Sequence, residues 1–116
     1  LSFRLKRGIY MSIKPITHDY TAEVTNERLP VVVEFYAEWS PKCQMMKDVV
    51  ERLARRCRGI SIFKKVDIDI CEKIAEDLGV ETVPTFVIYR HGEIMGYTTG
   101  VISEKILEER IADMLR

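Results

Sequence analysis

"VVVEFYAEWSPKCQMMK", residues 31–47, changes its hydrophobic period partway along, and that change decides how the chain folds. From Val31 to Tyr36 the run is β-branched and aromatic, with a single charge at Glu34, which suits a buried strand. Beyond Ser40 the pattern becomes helical: Met45, Met46, Val49, Val50, Leu53 and Ala54 recur at intervals of three and four, predicting an amphipathic helix over residues 41–58. Ser40 is a favoured helix N-cap, Pro41 suits the first helical position, and Gly59 stands where a C-terminal cap is expected. A strand running directly into a long helix is the seed of an α/β fold.

Working outward, residues 16–29 can form a short helix before the strand, and "ISIFKKVDIDI" (60–70) reads as a second strand. Asp69 and Glu72 have capping-box spacing ahead of Ile74, Ala75 and Leu78, and Gly79 closes that helix. "TFVIYR", the turn residues "HGE" and "IMGYTTG" form a hairpin. A last helix begins near Ser103, with Ile106, Leu107, Ile111, Met114 and Leu115 on its apolar side. This order predicts a mixed sheet with one parallel crossover and a terminal antiparallel hairpin, covered by helices. Residues 1–15, which carry Arg4, Lys6 and Arg7 and precede a plausible start at Met11, are expected to be an N-terminal arm or an expression remnant outside the domain of residues 16–116.

Composition narrows the function. With 116 residues, 47% of them hydrophobic and 31% charged, the chain suffices for one globular core. Eighteen basic residues balance eighteen acidic ones, so no net field draws the chain to nucleic acid or anionic lipid. No apolar run is long enough for a membrane-spanning helix and no signal-like segment is present, which gives a cytoplasmic expectation. Cys43, Cys57 and Cys71 contain no Cys-x-x-Cys pair, so neither a disulfide framework nor a zinc ribbon is indicated. Cys57 and Cys71 read as plain small residues, and the isolated His18 and His91 suggest no metal.

The segments "VVVEFYAEWSPKCQMMK", "KKVDID", "GVETVPTF" and "RHGEIMGYTTG" resemble, in order and nearly in spacing, the signature segments of the thioredoxin family. The resemblance covers about residues 16 to 116. It implies a thioredoxin fold with a central mixed sheet of four to five strands flanked by helices. It also implies a cis peptide before Pro84, and a site at the start of the long helix. The family motif is Trp-Cys-x-x-Cys; this chain has Trp39, Ser40, Pro41, Lys42 and Cys43. By resemblance Cys43 is the resolving thiol and Ser40 stands in place of the nucleophile, Glu34 is the buried proton-relaying acid (Glu for the family's usual Asp), and Lys65 is its partner. Trp39, Pro41, Lys42, Val83, Pro84, Thr85 and Gly100 would border the substrate groove.

A serine hydroxyl is not ionised near neutral pH, so disulfide exchange should lack its attacking group, and a lone thiol cannot release itself from a mixed disulfide. The bare residues leave plainer accounts open: Ser40 as a good N-cap, Glu34 as a solvent-facing charge, Lys42 as a surface lysine, Trp39 as packing. Three functions follow: a disulfide-reductase lineage whose first cysteine is replaced, a natural peptide-binding adaptor, or a single-thiol protein that conjugates glutathione or a partner through Cys43. Retention of Glu34, Lys65, Trp39 and Pro84 favours the first. The implied partners are protein or peptide substrates held around Trp39 and Pro84, and the family's reductase; no cofactor is implied, and a monomer is expected.

Overall fold

A computed structural model describes residues 13–116 of the chain. Five strands, β1 (Ile13–Pro15), β2 (Val31–Tyr36), β3 (Ile62–Asp67), β4 (Thr85–Arg90) and β5 (Glu93–Thr99), form one sheet in the order β1-β3-β2-β4-β5. The first three are parallel and the last two antiparallel to their neighbours. Four helices, α1 (Tyr20–Thr25), α2 (Pro41–Arg56), α3 (Glu72–Leu78) and α4 (Glu104–Met114), flank the sheet. The domain boundary moves toward the N-terminus: Ile13–Pro15, placed in the arm by the sequence reading, pairs with Phe63–Lys65 as an edge strand. A three-residue strand is too short to announce itself by alternation; it is set by its parallel partner. The rest of the expected arm lies outside the described residues.

Strand β2 sits at the centre with helices on both sides, which is why its apolar residues run on without alternating. Two apolar clusters result. Val32, Phe86 and Ile88 pack with Met46, Val50 and Leu53 of α2 and Leu107 of α4. On the other face Val31, Val33, Phe35, Val66 and Val87 pack with Val24 of α1 and Ala75 of α3. Arg52 and Arg56 reach Glu104 and Glu108 across the surface and fasten α2 to α4. The hairpin turns on two residues, His91 and Gly92, both with positive φ, the geometry that matches the twist of the paired strands. A Cβ at Gly92 would meet Thr25 Oγ1 at 2.9 Å, so the turn also needs the bare backbone to sit against α1.

Several local readings shift. Helix α2 ends at Arg56 with Cys57 as its cap, and Gly59 (φ +81°) lies in the turn beyond. Met45 and Ile106 are exposed rather than on the buried stripes. The capping box of Asp69 and Glu72 does not form: Cys71 is the N-cap of α3 and supplies no side-chain bond. Asp69 is turned elsewhere, as described below.

Candidate active site

The carboxyl ends of β2 and β3 and the start of α2 converge on one side of the sheet. Ser40 caps α2: its Oγ accepts from the Cys43 amide at 3.3 Å, and Pro41 follows in the first turn. The serine is 4% exposed, its hydroxyl spent on the helix end. Pro41 and Lys42 face solvent, while Cys43, one helical turn in, is buried.

Beneath Cys43 lies a polar pocket of about 90 Å³ whose walls include Glu34, Tyr36, Lys47, Glu51 and Lys65. Glu34 is 7% exposed, and no ion pair reaches it among the described residues. Burial pushes its carboxyl up to about 7; the Lys65 ammonium pulls it down less strongly, and Glu51 adds a smaller upward push. Lys65 is opposite Glu34 in the β2–β3 register, but its Nζ rests over the Tyr36 ring, 5.3 Å from the centroid. The expected partnership is therefore one of proximity rather than contact. Cys43 and Glu34 share the pocket without a direct hydrogen bond.

Trp39 stands 67% exposed immediately before the cap. Its Nε1–H donates to Asp69 Oδ2 at 2.8 Å, which holds the indole, while α3 starts two residues beyond the position where Asp69 could cap it. Asp69 was not singled out in sequence as part of this surface, because only the side-by-side ends of β2 and β3 bring it to Trp39. Glu51 and Lys47 were missed as well, because only the packing of α2 over β2 brings their row to Glu34.

Opposite the helix, the Val83–Pro84 peptide is cis. Neither the N–H nor the C=O of Val83 finds a hydrogen-bond partner among the described residues. Thr85 is buried and its Oγ1 donates to the Thr82 carbonyl at 2.6 Å, while the Gly100 amide donates to the Pro84 carbonyl at 3.0 Å. Gly100 has φ +93°, and a Cβ there would meet nothing within 4 Å. Its backbone conformation demands glycine, and the space above it is open. The structure thus brings Ser40, Cys43, Glu34 and Lys65 together under one helix end, with Trp39 at its lip, and gathers Val83, Pro84, Thr85 and Gly100 at the β4–β5 ends. Cys57 and Cys71 lie elsewhere: Cys57 ends α2, and the buried Cys71 thiol donates to the Ile16 carbonyl at 3.6 Å. Among the described residues no cluster of three metal-ligating side chains occurs, and no helix is long and apolar enough to cross a membrane.

The thioredoxin family model matches residues 12–113. A probable thioredoxin-2 of Caenorhabditis elegans is 31% identical over 97 residues, covering 84% of this chain and 67% of the relative. A thioredoxin of Porphyra purpurea is 30% identical over 102 residues, covering 87% of this chain and 95% of the relative. Among solved structures, mitochondrial thioredoxin 3 of Saccharomyces cerevisiae in its oxidized form superposes with a TM-score of 0.79 at 29% identity, covering 88% of this chain and 95% of that one. The Malassezia sympodialis thioredoxin gives 0.78 at 28% identity, covering 88% and 90%. The five-stranded sheet, the cap-and-thiol start of α2 and the family match along nearly all the described chain agree, and this chain belongs to the thioredoxin family.

Proposed function

We propose that the chain is a thiol-disulfide oxidoreductase of the thioredoxin type whose nucleophilic position is held by Ser40, so that it binds protein segments but does not turn over disulfides. The observation that carries this reading is the shared pocket of Cys43 and Glu34 directly behind the Ser40 cap. A buried acid with its pKa near neutrality beside a buried thiol is equipment for moving a proton, and a scaffold alone has no use for it. In the complete reaction a thiolate at position 40 would attack a substrate disulfide, joining one substrate sulfur and expelling the other as thiolate. Cys43, giving its proton to Glu34, would then attack the sulfur at position 40, release the second substrate thiol and close an internal disulfide. The serine hydroxyl removes the first step. Burial of Cys43 leaves it poorly placed to replace that step as a free-standing conjugating thiol.

A second reading, a natural peptide-binding adaptor, is favoured by the free backbone groups of Val83. With Gly100 bonded to the neighbouring Pro84 carbonyl, they can receive an extended segment as an added strand.

The test is Ser40→Cys, assayed for reduction of insulin disulfides with dithiothreitol as electron donor. A rate at least about 100-fold above the unmodified chain is expected, because thiolate attack is restored at a helix N-terminus beside Lys42. Adding Cys43→Ser to that variant should trap mixed disulfides. If Ser40→Cys closes the internal disulfide and still fails to reduce insulin, the adaptor reading replaces the first.

A further inference from the structure

Among the described residues, no helix covers the face of β5 turned toward α1 and α3. Ile94 is 53% exposed and Tyr97 68% exposed, both on a strand that otherwise anchors the hairpin. Between this face and the end of α3 lies a cavity of about 450 Å³, with Leu78 on the helix side and Thr82 and Thr85 at its head. Thr82 and Thr85 bracket Val83 and Pro84 in the chain and Thr99 precedes Gly100, so the cavity borders the proposed peptide groove. A second cavity of about 310 Å³, below it, shares Leu78 and Ile94 and extends the trough toward the hairpin turn.

The charge along this trough has one sign. Among the described residues, Glu81 is the sole charged side chain lining the upper cavity and Asp77 the sole one lining the lower. Asp77 is paired with Lys73, whereas Glu81 has no ion-pair partner among the described residues. A strand partner for β5 is disfavoured by the irregularity opposite Ile88/Tyr89, which places Met95 outside the ladder register and breaks the edge.

We infer that the trough is a specificity site for the flank of the bound segment, taking a large apolar side chain against Leu78, Ile94 and Tyr97 and a basic residue against Glu81. This deepens the proposed function and rests on its groove at Val83 and Pro84. The backbone at Val83 is indifferent to sequence; the trough is where one extended segment is distinguished from another. A large apolar side chain leaving water there removes exposed surface from both partners, and an unpaired carboxylate at the rim favours a cation and disfavours an anion.

The experiment uses three fluorescein-labelled decapeptides of Gly-Ser background, titrated with the full chain at low salt and read by anisotropy. One carries Phe and Arg on each flank, one Phe and Glu, and one Ala and Arg. The Phe/Arg peptide is expected to bind about tenfold more tightly than either of the others. Ile94→Ser with Tyr97→Ser should erase the Phe preference, and Glu81→Gln the Arg preference, with unchanged circular dichroism since all three side chains are exposed. Equal binding of the three peptides overturns the inference and leaves the groove reading standing, provided Trp39→Ala weakens all of them alike. No binding of any peptide overturns both. If sedimentation shows concentration-dependent self-association that Tyr97→Ser abolishes, while the peptides are not discriminated, a second copy occupies the trough and the inference fails.

Discussion

Glu34 and Lys64 are the two charged side chains buried among the described residues, and they occupy opposite faces of the sheet. Both sit on strands adjacent in the order, Glu34 one position from Lys64's cross-strand partner Val33. Lys64, 2% exposed, is fully served: its ammonium donates to the Glu23 carbonyl at 2.6 Å and lies 3.1 Å from Glu23 Oε1 and 2.9 Å from Glu27 Oε2. Glu34 has no such partner among the described residues; it faces a polar pocket with a lysine nearby but not in contact. The difference separates two uses of a buried charge. Surrounded by opposite charge and a carbonyl dipole, the lysine ties α1 to β3 and is part of the scaffold. Left with desolvation as its main influence, the glutamate becomes an acid that exchanges its proton near neutral pH.

The contrast breaks most sharply from the lysine side. Glu23→Gln combined with Glu27→Gln should cost about 3 kcal/mol or more in urea unfolding, because a buried ammonium is left without a counter-charge. Lys64→Met, which removes the charge and fills similar space, should cost under about 1.5 kcal/mol. Equal losses would mean that packing, not charge, makes Lys64 matter.

Glu34→Gln should behave in the opposite sense. With the folded carboxyl at about 7, the native chain holds this proton more tightly than the unfolded chain does. The stability so contributed is full below the ordinary glutamate pKa of about 4.3 and is lost as pH rises through 7. Relative to the unmodified chain, Glu34→Gln should therefore be roughly 3 kcal/mol more favourable at pH 8 than at pH 4, by denaturant unfolding at the two pH values. A pH-independent effect would place Glu34 with Lys64 as a merely structural charge.

Smaller changes sharpen the picture. Ser40→Ala should lose about 1 kcal/mol through the missing cap, the same loss expected for Ser103→Ala, whose Oγ accepts from the Ile106 amide. A much larger cost at Ser40 alone would show that it supports the pocket as well as the helix. Finally, carboxyl-carbon NMR titration should show the Glu34 midpoint rising in Lys65→Met and falling in Glu51→Gln, following the directions in which those neighbours act. No movement in either would detach Lys65 and Glu51 from the site.

What the sequence determined by itself was everything written in a local period or a local preference. The β-branched run before Tyr36, the three-and-four spacing after Pro41, Ser40 as a cap and the turn residues "HGE" each specify an element from its own side chains, although the turn itself is His91 and Gly92 and Glu93 already pairs with Arg90 as the start of β5. The resemblance then named Glu34, Cys43, Lys65 and Pro84 together. What only the tertiary structure decided depended on which faces met. The "KK" of β3 is two adjacent lysines in sequence; the pleat sends Lys64 under α1 and Lys65 toward Glu34, and burial follows from the helix each one meets. Asp69 reads as a cap for α3, yet the helix begins at Glu72 with Cys71 at its cap, and the Asp69 carboxylate instead accepts from Trp39, thirty residues earlier, because the ends of β2 and β3 lie side by side. β1 exists through its pairing with β3, and the trough beside Tyr97 through the absence of a helix over β5 among the described residues. Contacts of this kind join residues far apart along the chain, and no local period records them.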